Sequence, residues 1–220
     1  MKEYIHPPLK NNVARWLIIS AVLLLIFIVW LVFIDGNITP DEKVFGLVGP
    51  HITPGRTQFM KAVAFLGNHK FLIPANLLLI AVLLLCKYKW GAITAASVAL
   101  SSVGMMSLLK NLVQRQRPSN QLVEGITNFS FPSGHAFMSI AFYGFLIWWS
   151  ASTIKNKIQQ RLLISFLLFL ILIIGFSRIY LRVHYTTDVF AGFCIGIIWL
   201  FFCLWLTDKF KPASGFVSKH

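Results

Sequence analysis

KNLVQRQRP at 110–118, PSGH at 132–135 and SRIYLRVHYTTD at 177–188 are three polar islands in a very apolar chain. Each falls at the edge of a hydrophobic run, where a bilayer would meet water. Together they bring cations, two histidines and a carboxylate to one membrane surface. That combination reads as a site for an anion and for chemistry on it. The apolar runs around the islands decide the fold.

A helix that crosses a bilayer needs about 20 mostly apolar residues. Working outward from the islands, such runs lie at about 90–112, 134–150, 162–179 and 186–206, and upstream at 16–34 and 71–86. The expected fold is therefore all-α, an integral membrane bundle of six transmembrane helices in a single membrane-embedded domain over 1–220. The polar connection 35–70 contains Pro40, Pro50 and Pro54, and its segment 57–66 reads as a short interfacial helix between the first two spans. The third span carries Gly91, Ala92, Ala95, Ala96, Ser97, Ala99 and Gly104. Small residues let helices approach closely, so this span is expected at the centre of the bundle. Trp16, Trp90, Trp148, Trp149 and Trp205 lie near predicted helix ends, as in an aromatic belt.

Composition agrees. The 220 residues are 57% hydrophobic and only 12% charged, against roughly 25% charged in soluble domains. The 20 Lys and Arg against 7 Asp and Glu give a formal charge of +13. These cations lie between spans rather than on a soluble face, which points to anionic lipid headgroups and away from nucleic acid as partner. Cys86, Cys194 and Cys203 sit within apolar runs and form neither a disulfide framework nor a metal set. The first apolar run is too long for a signal peptide and is expected to stay as an anchor.

Six spans put both termini on one side. The short loops there carry Lys87, Lys89, Lys155, Lys157 and Arg161, joined by Lys2, Lys10, Arg15, Lys209, Lys211 and Lys219 near the chain ends. Basic residues in short loops mark the cytoplasmic side. The termini are therefore expected inside and all three islands outside.

The islands contain specific chemical possibilities. His184 and Asp188 are spaced i, i+4, so a helix starting near His184 would place them on one face. The carboxylate could then fix the imidazole tautomer and leave the other nitrogen free to attack an electrophile. A helix-start carboxylate beside an unrelated histidine is the plainer alternative. Pro132-Ser133-Gly134-His135 precedes an apolar helix, and the free N–H groups of a first turn form an anion site. An ordinary cap would account for Ser133 but not for His135, which suits proton transfer. Lys110, Arg117 and Arg178 are the cations placed to hold phosphate oxygens, for which the guanidinium fork is well shaped. Arg115 and Arg182 read as snorkelling side chains. Lys43, Arg56, Lys61, Lys70, His6, His51, His69 and His220 receive no role, and Asn128-Phe129-Ser130 is read as a chance sequon.

The pattern K-x6-R-P, P-S-G-H, S-R-x5-H-x3-D resembles the three-part motif of the type 2 phosphatidic acid phosphatase superfamily. Lys110, Arg117, Pro118, Pro132, Ser133, Gly134, His135, Ser177, Arg178, His184 and Asp188 match it without a departure. Soluble acid phosphatases and vanadium haloperoxidases share these motifs but not this hydrophobicity, so the likeness is to small bacterial membrane members. The resemblance implies a lipid phosphatase in the bacterial cytoplasmic membrane. In it His184 is the nucleophile, Asp188 orients His184, and His135 is the acid and then the base. Lys110, Arg117, Ser133, Gly134 and Arg178 hold the phosphoryl group, with no metal and no cofactor. Among the family's substrates the favoured expectation is undecaprenyl diphosphate, with phosphatidylglycerophosphate, phosphatidate and lipid A phosphate as alternatives. Two rival classes remain at this stage. One is a lipid or anion transporter, which would spread its charges through the bundle. The other is a metal-dependent hydrolase ligated by His135, His184 and Asp188. Oligomeric state is not legible.

Overall fold

The computed structural model describes residues 12–211; Lys2, His6, Lys10, Lys219 and His220 lie outside the described residues. All regular structure among the described residues is helical. The helices are α1 (Asn12–Ile34), α2 (Thr39–Val48), α3 (Pro54–Phe65), α4 (His69–Leu85), α5 (Lys89–Val113), α6 (Gly134–Thr153), α7 (Lys157–Tyr180) and α8 (Thr186–Phe210). Six segments are long and apolar enough to cross a bilayer, with α3 and α4 together forming the second. The chain is a multi-pass membrane protein.

Local chemistry sets the boundaries. Thr53 and Asn68 accept hydrogen bonds from Arg56 N and Lys70 N, and Asn156 accepts from Ile158 N and Gln159 N, so each caps the helix that follows. Pro54 stands at the first position of α3, where its missing N–H costs nothing. α5 ends at Gln114, whose left-handed backbone (φ 50°) returns its N–H to Lys110 O. The irregular 114–133 segment that follows carries the first island to the second.

The polar segment 35–70 holds two short helices, α2 and α3, and α3 continues into α4 as the first part of the second span. α3 covers the short helix expected at 57–66. It runs beside the end of α7: Thr53 N donates to Tyr180 Oη at 3.2 Å, and Gly67 packs on Ile174. α2 precedes it and seats on the start of α8.

The centre of the bundle corrects one expectation. Of the window that crosses the membrane, 50% is buried in α6 and 44% in α8, but only 33% in α5. Gly91, Ala92, Ala95 and Ser102 bury one face of α5, while Leu100, Val103, Leu108 and Leu112 point outward. The small residues of α5 thus serve a one-sided contact. The core joins Ile140, Tyr143 and Phe145 of α6 to Ile171 and Ile174 of α7 and to Leu200 and Leu204 of α8, with Ala92, Ala95 and Val98 of α5 on its flank. Gly192 allows α8 to meet the beginning of α6, since a Cβ there would stand 2.6 Å from Ser133 O. Trp16, Trp90, Trp148, Trp149 and Trp205 all gather at the end opposite the islands. Cys86 is exposed, Cys194 and Cys203 are buried, and all three are free.

Candidate active site

α8 begins at Thr186, so His184 precedes it by two residues and Asp188 lies in its first turn. His184 is held by the turn after α7, where the N–H groups of Val183 and His184 both donate to Arg178 O. Asp188 is fully buried and both its oxygens are occupied. Oδ2 accepts from Ser130 Oγ at 2.5 Å and from Tyr185 N at 3.0 Å, and Oδ1 accepts from Arg115 Nη1 at 2.5 Å. His184 Nδ1 lies 3.7 Å from Asp188 Oδ2, beyond hydrogen-bond range, and 3.4 Å from Ser130 Oγ. Ser130 therefore links the two.

The other imidazole nitrogen settles the tautomer. His184 Nε2 is 3.2 Å from Arg117 Nη1. A guanidinium only donates, so Nε2 accepts and the ring proton sits on Nδ1, facing Ser130 and Asp188. Burial pushes His184 down to about 3, against the opposing pull of Asp188 and with the help of the Arg117 charge. At neutral pH the ring is uncharged, with an available lone pair on Nε2.

The cations converge on this point. Arg117 Nε donates to Asn128 O at 2.6 Å, its Nη2 to Asn128 Oδ1 at 2.5 Å, and its Nη1 to Val183 O. Burial lowers Arg117 to about 10, which leaves it charged at neutral pH. Lys110 Nζ donates to Phe129 O at 2.6 Å, and its Cε lies 3.9 Å from where a Cβ on Gly134 would stand, so the first and second islands meet. Arg178 is only 5% exposed, yet its guanidinium makes no hydrogen bond among the described residues, and its Nε is buried without a partner. Ser133 occupies the N-cap of α6 but caps nothing; its hydroxyl is buried and also without a partner. A buried cation left unpaired is costly. An anion would supply the acceptor that the Arg178 guanidinium lacks.

His135 stands in the first turn of α6, partly exposed, with no side-chain hydrogen bond among the described residues. Its Cδ2 is 3.3 Å from the place a Cβ on Gly67 would occupy, so the joint between α3 and α4 forms one wall beside it. Tyr143 Oη fixes that joint by donating to Leu66 O at 2.9 Å. His135 is within electrostatic reach of Arg178 and His184.

Several residues at the site had no role in the sequence reading. Arg115 does not snorkel: its side chain is 10% exposed and pairs with Asp188 and, at 3.2 Å, with Asp41. Arg182 lies over the Phe45 ring at 5.6 Å, packed on α2. Asn128 and Ser130, read only as a chance sequon, have structural roles: one orients Arg117 and the other bonds Asp188. Asp41, fully buried, accepts from Thr187 N at 2.9 Å and Thr187 Oγ1 at 2.7 Å. These partners are 146 positions apart, and nothing in a single sequence connects them.

Known proteins share this architecture. Residues 90–212, which contain all three islands, match the PAP2 superfamily. Phosphatidylglycerophosphatase B of Bacillus subtilis (strain 168) is 25% identical over 159 residues, 72% of this chain and 78% of its own length. The crystal structure of a transmembrane PAP2 type phosphatidylglycerolphosphate phosphatase from Bacillus subtilis has the same fold, with a TM-score of 0.78 at 21% identity over 91% of this chain and 100% of that one. The crystal structure of Aquifex aeolicus LpxE gives a TM-score of 0.57 at 25% identity, over 76% and 93% of the two chains. With the match extending over more than half of its length, the chain belongs to the PAP2 superfamily, as a membrane lipid phosphatase.

Proposed function

We propose that this protein removes phosphate from a lipid phosphate or diphosphate through a phosphohistidine on His184, at the extracytoplasmic face of a bacterial cytoplasmic membrane. The observation that carries the reading is the pairing of two buried, partnerless groups, Arg178 and the Ser133 hydroxyl, with the uncharged His184. In the first step His184 Nε2 attacks phosphorus as the bond to the lipid oxygen breaks, and His135 gives that oxygen its proton. The phosphorylated ring carries positive charge, which Asp188 offsets through Ser130. In the second step His135 takes a proton from water, whose oxygen attacks phosphorus as the P–N bond breaks. Lys110, Arg117, Arg178, the Ser133 hydroxyl and the Gly134 N–H hold the phosphoryl oxygens.

Fixed cations supply the charge that a metal supplies in other phosphoryl transfers, so the reading is metal-independent. Both oxygens of Asp188 are already engaged by Arg115, Ser130 and Tyr185, which argues against Asp188 as a metal ligand. Collection of the charges at one end of the bundle argues against a transporter. The basic residues Lys87, Lys89, Lys155, Lys157 and Arg161 of the 87–89 and 152–161 stretches support a cytoplasmic placement for the opposite end. Undecaprenyl diphosphate is the favoured substrate on the family resemblance. Phosphatidylglycerophosphate is the second reading, favoured by the name of the Bacillus subtilis relative.

Phosphate release by purified protein across a panel of lipid phosphates tests the substrate. Orthovanadate, which adopts the five-coordinate geometry of the transition state, should inhibit competitively, and a strong chelator should leave turnover unchanged. Loss of activity in chelator, restored by a divalent cation, would replace this mechanism with the metal-dependent one.

A further inference from the structure

Two acidic side chains among the described residues are fully buried, Asp41 and Asp188, and a single cation, Arg115, bonds both. Arg115 Nη1 reaches Asp188 Oδ1 at 2.5 Å and Thr187 Oγ1 at 2.8 Å, and Nη2 reaches Asp41 Oδ2 at 3.2 Å. Its guanidinium also lies over the Tyr185 ring, 4.2 Å from the centroid, which prevents it from swinging away. Asp41 sits in the first turn of α2, far from the phosphoryl pocket in sequence, and accepts hydrogen bonds from Thr187 of α8. Asp41 and Arg115 bond each other, Thr187 and Asp188 rather than His184, so neither is assigned a catalytic role.

The charges in this cluster have a consequence for His184. Two carboxylates against one guanidinium leave one net negative charge beside the histidine. Without Asp41, Arg115 would neutralise Asp188 alone, and the positive charge that develops on the phosphorylated ring would lose its counterion. Without Arg115, two carboxylates would share a buried site, and one would have to take up a proton.

We infer that Asp41 is a positioning residue for the phosphatase reaction: by sharing Arg115 with Asp188 it keeps the Asp188 charge available to His184, and it makes α2 part of the catalytic apparatus. The inference rests on the reading of His184 and Asp188 given above.

A charge-balance cycle tests it. Asp41→Asn keeps an oxygen for Thr187 N–H but removes the charge. It should lower kcat by about 10-fold or more with KM within about twofold of wild type. Arg115→Gln should fall at least as far. The double variant Asp41→Asn/Arg115→Gln restores one net negative charge and should exceed Asp41→Asn in kcat by about fivefold or more, a non-additivity that independent structural damage does not produce. Additive losses, or wild-type kcat in Asp41→Asn, would overturn the inference. Should Asp41→Asn not fold, Arg115→Lys against Arg115→Gln decides: a clearly higher kcat for lysine supports a charge role, and equal loss overturns it. His184→Ala runs alongside. Turnover in that variant would remove the histidine reading and this inference with it. A dead His184→Ala with no recovery in the double variant would remove the inference alone.

Discussion

Nε2 of His184 lies 3.2 Å from the Arg117 guanidinium, while Nδ1 of the same ring faces Ser130 Oγ at 3.4 Å. The unprotonated nitrogen thus looks toward the cations, and the protonated one looks toward the buried carboxylate. This orientation is what a phosphoryl acceptor requires. It also has a thermodynamic consequence.

Burial holds His184 down to about 3, whereas the unfolded chain binds that proton near 6.5. Above pH 6.5 neither state is protonated at this ring and stability is unaffected. Between 6.5 and 3 the unfolded state alone binds the proton, so stability falls as pH drops, by on the order of 5 kcal/mol in full. The unfolding midpoint in detergent should decline over this window, and less steeply in His184→Asn. Parallel declines would show that His184 is not buried as a neutral ring. His184→Ala should also abolish turnover while keeping its helical circular dichroism.

Ser130→Ala removes the bridge between His184 and Asp188. A hydrogen bond to a charged group contributes about 1.5–3 kcal/mol, which corresponds to a fall of about 10- to 100-fold in kcat. Steady-state rates at saturating substrate measure it. Unchanged kcat would mean that the direct His184–Asp188 approach suffices.

Topology is accessible to labelling in intact cells. With the native cysteines replaced, a cysteine at Ser119, next to the first island, should react with an impermeant thiol reagent. One at Lys157, at the start of α7, should not. The reverse pattern would invert the protein in its membrane.

His135 is separable from His184 by leaving group. A lipid alkoxide needs a proton as it departs, whereas an activated aryl phosphate needs little help. His135→Ala should therefore retain a larger fraction of wild-type activity on an aryl phosphate than on a lipid monophosphate, measured in the first-turnover burst. Equal loss on both would take His135 out of the acid role.

The spans were legible because a bilayer demands long apolar runs, and the 16–34 and 186–206 runs could be little else. The short helix at 57–66 was legible, although α2 before it was not, since Pro40 in its first turn and the polar residues around it read as part of a connection. The centre of the bundle was misread. Small residues on α5 announce a close contact but not on how many sides, and the outward Leu100 and Leu112 show that there is one.

The sequence by itself determined the class of the protein and marked the residues proposed to carry its chemistry, because the three islands are short-range patterns whose spacing is written along the chain. Lys110 seven positions before Arg117, Ser133 beside His135, and His184 four before Asp188 need no knowledge of the rest. Only the tertiary structure decided how those residues are held. Asp41 meets Thr187 across 146 positions, Arg115 meets Asp188 across 73, and Ser130 meets Asp188 across 58. The burial that makes such contacts strong exists only once α2, the 114–133 segment and α8 have come together, and a polar side chain in a connecting segment looks the same in sequence whether it ends in water or against a buried carboxylate.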